Sequence, residues 1–339
     1  MNRATQLKEV AQSLGLDAVG IAPAETPPGA DHLRNWLSLS YHGEMNWMAR
    51  RPEIRSNPLH YDPQAKTIIV AGISSHQTKS PTRRGKIAAY AQGLDYHEIL
   101  REKLGRLAES TVVPWGGSFR ICVDSSPLME KPIAAMAGLG WQGKNTLLIN
   151  TQHGPWLMLG FILTDLVIPH DKPSSDHCGT CTRCMDVCPT QAFPQPYVLD
   201  SRRCLAYLTI EHPGPIPEEF RPLLGDHLFG CDECLDVCPW NRHAQQSREL
   251  RLTPIPRADL SEMLGWDEIR FRREFRGTPI FRLKRARWLR NICTVLGNIG
   301  TQDDLPSLEK ASQDQDPLVQ EHARWGKNRI IQRLGSEIN

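Results

Sequence analysis

Eight of the ten cysteines in this 339-residue chain fall between Cys178 and Cys238. Cys178, Cys181, Cys184 and Cys188 form C-x2-C-x2-C-x3-C closed by Pro189, the bacterial ferredoxin run. Three thiolates of such a run grip one [4Fe–4S] cubane and the fourth reaches a second. Cys231, Cys234 and Cys238-Pro239 repeat the last three positions, and Leu228 stands where the first cysteine belongs. Cys204 is the remaining cysteine of the region and is assigned as the missing ligand. Crossing the fourth ligands gives one cluster Cys178, Cys181, Cys184 and Cys238, and the other Cys188, Cys204, Cys231 and Cys234. Structural zinc is the rival, but it needs two C-x2-C pairs per ion where this chain has triplets closed by C-P. Cys122, in a strand pattern, and Cys293, on an apolar helix face, read as core residues.

Two clusters make a wire for single electrons, so the rest of the chain must hold something to reduce. Gly138–Asn145 nearly matches a phosphate loop, yet Asn145 replaces the magnesium-binding hydroxyl and a helix precedes it where a strand is required. No G-x-G-x-x-G follows a strand, so neither ATP nor a Rossmann-bound nicotinamide is indicated. At Arg120–Pro127 a strand ends at Asp124, Ser126 fits a helix N-cap and Pro127 the first helical position. Asp124 either helps cap that helix or faces a ligand beyond the strand end. As a general acid it would need burial or an apolar cofactor face to raise its pKa. Asp95-Tyr96-His97 reads as a helix start with a surface aromatic.

These residues must be positioned by an α+β chain of three parts. Residues 1–165 are mixed α/β, with helical patterns at Ala4–Leu14, Tyr96–Ser110 and Leu128–Ala137. Short apolar runs at Thr67–Ile73, Phe119–Val123 and Trp156–Leu163 read as strands. Residues 166–250 are rich in cysteine and proline and form a ferredoxin-like two-cluster region. Residues 251–339 carry a basic segment and HEAT-like helices: Ala286, Leu289, Cys293 and Leu296 share a face, and Gly297-Asn298 should stop that helix. A second helix then starts near Leu305 and a third at Asp316-Pro317. The net charge is only +2, but Arg270 to Arg290 holds nine Lys or Arg against one acid, Glu274. That imbalance points to a polyanionic partner. The amphipathic start and the short apolar stretch Leu157–Ile168 argue for a cytoplasmic protein with no membrane span. In that compartment cysteines favour metal over disulfides.

Read together, these blocks resemble the epoxyqueuosine reductase family over essentially the whole chain. The blocks are Tyr41–Met48, Gly93–His97, Val123–Pro127, Gly138–Thr146, the ferredoxin run, Gly230–Cys234 and Cys238–Asn241. The resemblance implies a cobalamin in the N-terminal domain near a cluster. It also implies reduction of the epoxide of epoxyqueuosine, at the wobble position of tRNA, to queuosine. It makes Asp124 the proton donor. It suggests Arg55, Lys131, Lys144, Asn145 and, on the cluster side, Tyr207 as cobalamin contacts. Ala89 departs from the Arg that the family often has, and no Cys or His lies between it and Gly93 to ligate cobalt. Within the basic segment Arg282, Lys284, Arg285, Arg287 and Arg290 are expected to hold tRNA phosphates. An external single-electron donor is required, and a monomer is expected. The rival functions are a cobalamin-dependent reductive dehalogenase and an electron carrier without a substrate.

Overall fold

The computed structural model describes residues 2–77, 84–250 and 258–336. Strand Thr67–Ser74 alternates Ile69, Ala71 and Ile73 on one face with Ile68 and Val70 on the other, and both faces are buried. A strand covered on both sides belongs at the centre of a sheet. It pairs antiparallel with Ala18–Pro23 and with Leu157–Thr164, and the latter pairs antiparallel with Phe119–Cys122. Helices Arg3–Ser13 and Tyr96–Ser110 cover one face. Glu130–Met136 covers the other. Asp95 caps Tyr96–Ser110 by accepting from the His97 amide. Leu100, Leu104 and Leu107 lie fully buried along its sheet side, each burial contributing about 1.5–3 kcal/mol.

The helix after the third of these strands begins at Glu130, with Met129 at its N-cap position and no side-chain cap. Ser126 and Pro127 therefore do not open it, contrary to the sequence expectation. Residues 124–129 fold back on themselves instead: the Ser125 amide donates to Val123 O and the Leu128 amide to Ser126 O. Asp124 stands free of any helix cap at the head of this turn, with φ +53°.

In the cysteine-rich region two short helices, Arg183–Asp186 and Glu233–Asp236, repeat one turn geometry. Met185 N donates to Thr182 O at 2.8 Å and Leu235 N to Asp232 O at 2.9 Å. Cys188 N donates to Met185 O, and Cys238 N to Leu235 O, in the same way. The C-terminal helices Lys284–Ile299, Leu305–Ala311 and Pro317–Ser336 pack around Trp288, Ile292, Leu296 and Ile330. Leu228 and Phe229 join the same core. Gly297 does not stop its helix, which runs on to Ile299. A Cβ there would meet the Trp325 ring at 2.5 Å, so this glycine lets the last helix approach closely. Lys86–Ile87 pairs in parallel with His227–Phe229, tying the N-terminal part to the cluster region. The boundary expected at 250/251 abuts residues 251–257, which lie outside the described residues.

Candidate active site

The structure brings the eight cysteines into two groups of four. Burial pushes the Cys184 thiol up to about 11, and the sulfurs of Cys178, Cys181 and Cys238 beside it add to the rise. Cys238 is raised by burial and by Cys178 and Cys181. In the second group burial pushes Cys231 up to about 12 with Cys204 next to it, and Cys204 feels Cys188. Cys234 is raised by burial and by Cys204, Cys231 and Cys188, with Cys184 of the first group also near. A tetrahedral zinc needs sulfurs about 2.3 Å from one point. Among the described residues no three His, Cys, Asp or Glu side chains are gathered for a single ion. Sulfurs gathered four and four match the ligand count of two cubanes. Cys204→Ala is expected to lower the iron content of anaerobically purified protein toward a single cluster per chain. Full occupancy with unchanged spectra would remove Cys204 from the ligand set. Cys122 and Cys293 are buried in the core, at 1% and 0% exposure.

Around these groups the other sequence-selected residues divide. Lys144 Nζ donates to Gly179 O at 2.7 Å and to Cys181 O at 3.0 Å, fixing the first cluster loop. Asn145 Nδ2 donates to Cys234 O at 3.4 Å. Both side chains thus brace the cluster loops. Tyr207 accepts from the Glu44 amide at 2.7 Å and so pins the 41–48 segment to the helix that follows Cys204. A Cβ on Gly43 would meet that hydroxyl at 2.5 Å. Arg55 lies over Trp47, 4.8 Å from the ring centroid, and its Nε is buried without a hydrogen-bond partner. His42 Nδ1 is orphaned in the same way. Lys131 stands 3.6 Å from Glu130 and helps to hold down the pKa of Asp124.

Asp124 itself is the end of a polar chain that local sequence does not reveal. Its backbone N–H donates to Glu130 Oε1 at 2.9 Å, which fixes the turn, while its carboxyl group is 57% exposed. Asp124 Oδ2 lies 3.1 Å from His97 Nε2, and His97 Nδ1 lies 2.5 Å from Asp95 Oδ1. Arg282 donates to Asp95 Oδ2 at 2.7 Å, and its Nη1 is 3.0 Å from the same His97 Nε2. Tyr96 stacks on the imidazole at 3.9 Å. The His97 hydrogen bond holds the Asp124 carboxyl below the usual range against the opposing effect of burial. Burial works against the His97 imidazolium, but the bonds to Asp124 and Asp95 win and raise its pKa. The proton therefore favours His97 over Asp124. Protonated, Nε2 donates to Asp124; bare, it accepts from Arg282. The array has a partner ready for each state, and the two differ by one proton. Sequence reasoning passed over His97 because its partners come from residues 124 and 282; the Asp-x-His spacing was the available signal.

Residues 177–241 match the family description "4Fe-4S double cluster binding domain". Residues 55–125 match "Epoxyqueuosine reductase QueG, DUF1730". The chain is 42% identical over 337 residues to an epoxyqueuosine reductase of Xanthomonas campestris pv. campestris, covering 95% of this chain and 94% of that protein. The chain belongs to the epoxyqueuosine reductase family. The Escherichia coli (strain K12) epoxyqueuosine reductase is 38% identical over 348 residues, covering 99% of this chain and 91% of its own. An epoxyqueuosine reductase solved with an epoxyqueuosine-modified tRNA-Tyr stem loop superposes with a TM-score of 0.89 at 29% identity, over 96% of this chain and 89% of that one. The Bacillus subtilis epoxyqueuosine reductase has a TM-score of 0.87 at 30% identity, over 96% and 90%. It was solved with its catalytic aspartate loop swung out of the active site.

In this epoxyqueuosine reductase fold the basic run is not one surface. Arg290 is 0% exposed and donates to His212 O, Gly214 O and Leu208 O at 2.7–2.8 Å, so it cannot reach a phosphate. Burial lowers it to about 9, with Arg287 adding to the effect. Arg285 pairs with Asp314 and donates to Trp266 O. Arg287 donates to the carbonyls of Leu283 and Ile210. Arg282 belongs to the Asp124 array. Buried Arg290 thus departs from the expected phosphate-binding set, while Arg282, Arg285 and Arg287 are held by acids and carbonyls and keep some exposure. Lys284 is exposed at the start of its helix.

Proposed function

We propose that this chain reduces the epoxide of epoxyqueuosine, at the wobble position of tRNA, to the alkene of queuosine. One observation carries the reading: the proton-holding Asp124–His97 pair acts electrostatically on Glu211, which ends the short helix opened by the cluster ligand Cys204. Cys204 opens the helix Leu205–Ile210, and Glu211 at its far end is raised by burial and by Asp124. Six helical residues span about 9 Å.

When bound, the two [4Fe–4S] clusters and a cobalamin supply single electrons and a strongly reducing cobalt centre. The unpartnered Arg55 Nε and His42 Nδ1, beside the glycine-narrowed contact of Gly43 with Tyr207, give a large polar cofactor somewhere to bond. Arg55 and Tyr207 would hold it, with Lys131 near the Asp124 end. Removing the epoxide oxygen consumes two electrons and two protons and yields the alkene and water. Asp124 delivers each proton to the departing oxygen, because an alkoxide is costly to expel. His97 recharges Asp124, Asp95 holds the imidazole by Nδ1, and Arg282 takes up the bare Nε2. The exposed edge of Asp124 admits the next proton.

The electrons come from an external single-electron donor. The protein works as a cytoplasmic monomer, and among the described residues no helix is long and apolar enough to cross a membrane. Residues 1–165 form the cofactor-binding and catalytic part, 166–250 the ferredoxin-like part and 251–339 the basic, HEAT-like part.

The test is anaerobic single turnover on an epoxyqueuosine-containing tRNA stem loop with chemically reduced protein, reading queuosine formed. An electron carrier makes none. The rate should stay level at low pH and fall as pH rises through the raised pKa of His97, above its ordinary 6.5. His97→Gln should slow turnover and abolish that limb. A limb that persists in His97→Gln would place the titrating group elsewhere.

A further inference from the structure

Trp141 is 3% exposed, and its indole Nε1 donates to Cys178 Sγ at 3.4 Å. Its placement is fixed from several sides. Trp141–Gln142 pairs antiparallel with Leu148–Ile149. Gly140 before it has φ +150°, and a Cβ there would strike Ile149 O at 2.0 Å. His177 and Trp240 pack edge-on against the indole at 4.9 and 5.1 Å. Indole N–H can only donate, and the acceptor is a sulfur of the first four-thiol group.

We infer that Trp141 is a redox-positioning residue that raises the reduction potential of the cluster held by Cys178, Cys181, Cys184 and Cys238. The inference rests on the two-cluster reading. Hydrogen bonds to ligand sulfurs and exclusion of solvent are established controls of cluster potential. Reduction adds one electron and therefore one negative charge to the cluster and its thiolates. A donor aimed at a thiolate stabilises that more negative state more than the oxidised one. In the second group Cys188 receives the Ala192 amide at 3.3 Å and has the Thr190 hydroxyl at 3.6 Å, neither of which the indole touches. The indole acts on the first group alone, so its loss should move one cluster and not the other.

Trp141→Phe keeps an aromatic ring against Trp240 and His177 and deletes the donor. With iron and sulfide first shown to match two clusters, an EPR-monitored redox titration should show one of the two clusters about tenfold harder to reduce. That factor equals 59 mV for a one-electron couple. The other cluster should not move. Trp240→Phe, which alters the packing and leaves the indole donor in place, should leave both potentials where they are. Unchanged potentials in Trp141→Phe, or an equal shift in Trp240→Phe, would overturn the inference. Should Trp141→Phe fail to hold its cluster, wild-type protein labelled with nitrogen-15 tryptophan decides. The reduced protein should show hyperfine coupling to an indole nitrogen, and its absence would also overturn the assignment. Loss of clusters from the wild-type preparation would count against the two-cluster reading instead.

Discussion

Asp124→Asn should retain both clusters and tRNA binding while losing about 10²–10⁴ in single-turnover rate, the scale of general acid catalysis. The substitution is well suited to the site. Asp124 has φ +53°, a region that Asn tolerates better than most residues. Asn can still accept from His97 Nε2, and its backbone still donates to Glu130. What it lacks is a carboxyl group able to pass a proton from His97 to the substrate. A merely structural Asp124 predicts something different: turnover stays near normal, and the His97 pKa falls because its anionic partner is gone. Capping is no longer a competing explanation, since the helix starts six residues later. Queuosine formation, measured beside iron content and a melting curve, separates these cases. Full activity in Asp124→Asn would sink the proton-donor role.

How far the sequence could be read depended on how local each interaction is. The ferredoxin run is legible because a cubane dictates the spacing of its thiolates within a dozen residues. The strand Thr67–Ser74 and the helix Tyr96–Ser110 are legible because a short continuous apolar run, or an Asp cap followed by Leu100, Leu104 and Leu107, states its own burial. The turn at 125–129 was hidden, because Ser126-Pro127 carries a valid helix-start signal that the fold does not use. The array around Asp124 was hidden for a different reason. His97 looks like a surface aromatic's neighbour until residues 124 and 282 are brought to it. The basic run misled most. Counting charges between 270 and 290 leaves out Glu262, Glu268 and Asp314, which pair with Arg270, Arg272 and Arg285 from outside that window.

Arg290 carries the second large expected effect. Its guanidinium satisfies three carbonyls around 208–214 and the side chain of Asn291. Asn291 in turn donates to Thr209 O and Leu228 O. This fork joins the helix Lys284–Ile299 to the segment that begins at Cys204. Arg290→Ala leaves buried carbonyls without donors, at about 1–3 kcal/mol for each group that water cannot reach. A destabilisation of about 3–4 kcal/mol is expected, together with loss of iron from the cluster that Cys204 serves. Arg290→Lys should rescue little, because one ammonium cannot reproduce a planar fork on separated carbonyls. The matching surface experiment is Lys284→Ala. It should melt like the wild type and, if Lys284 touches a phosphate, lower the salt slope of tRNA binding by about 0.7–0.9. A stable, iron-replete Arg290→Ala protein with a flattened salt slope would reverse this division. It would mean that the helix opens to present Arg290 to tRNA, which a residue bound at every donor in the closed fold should not do.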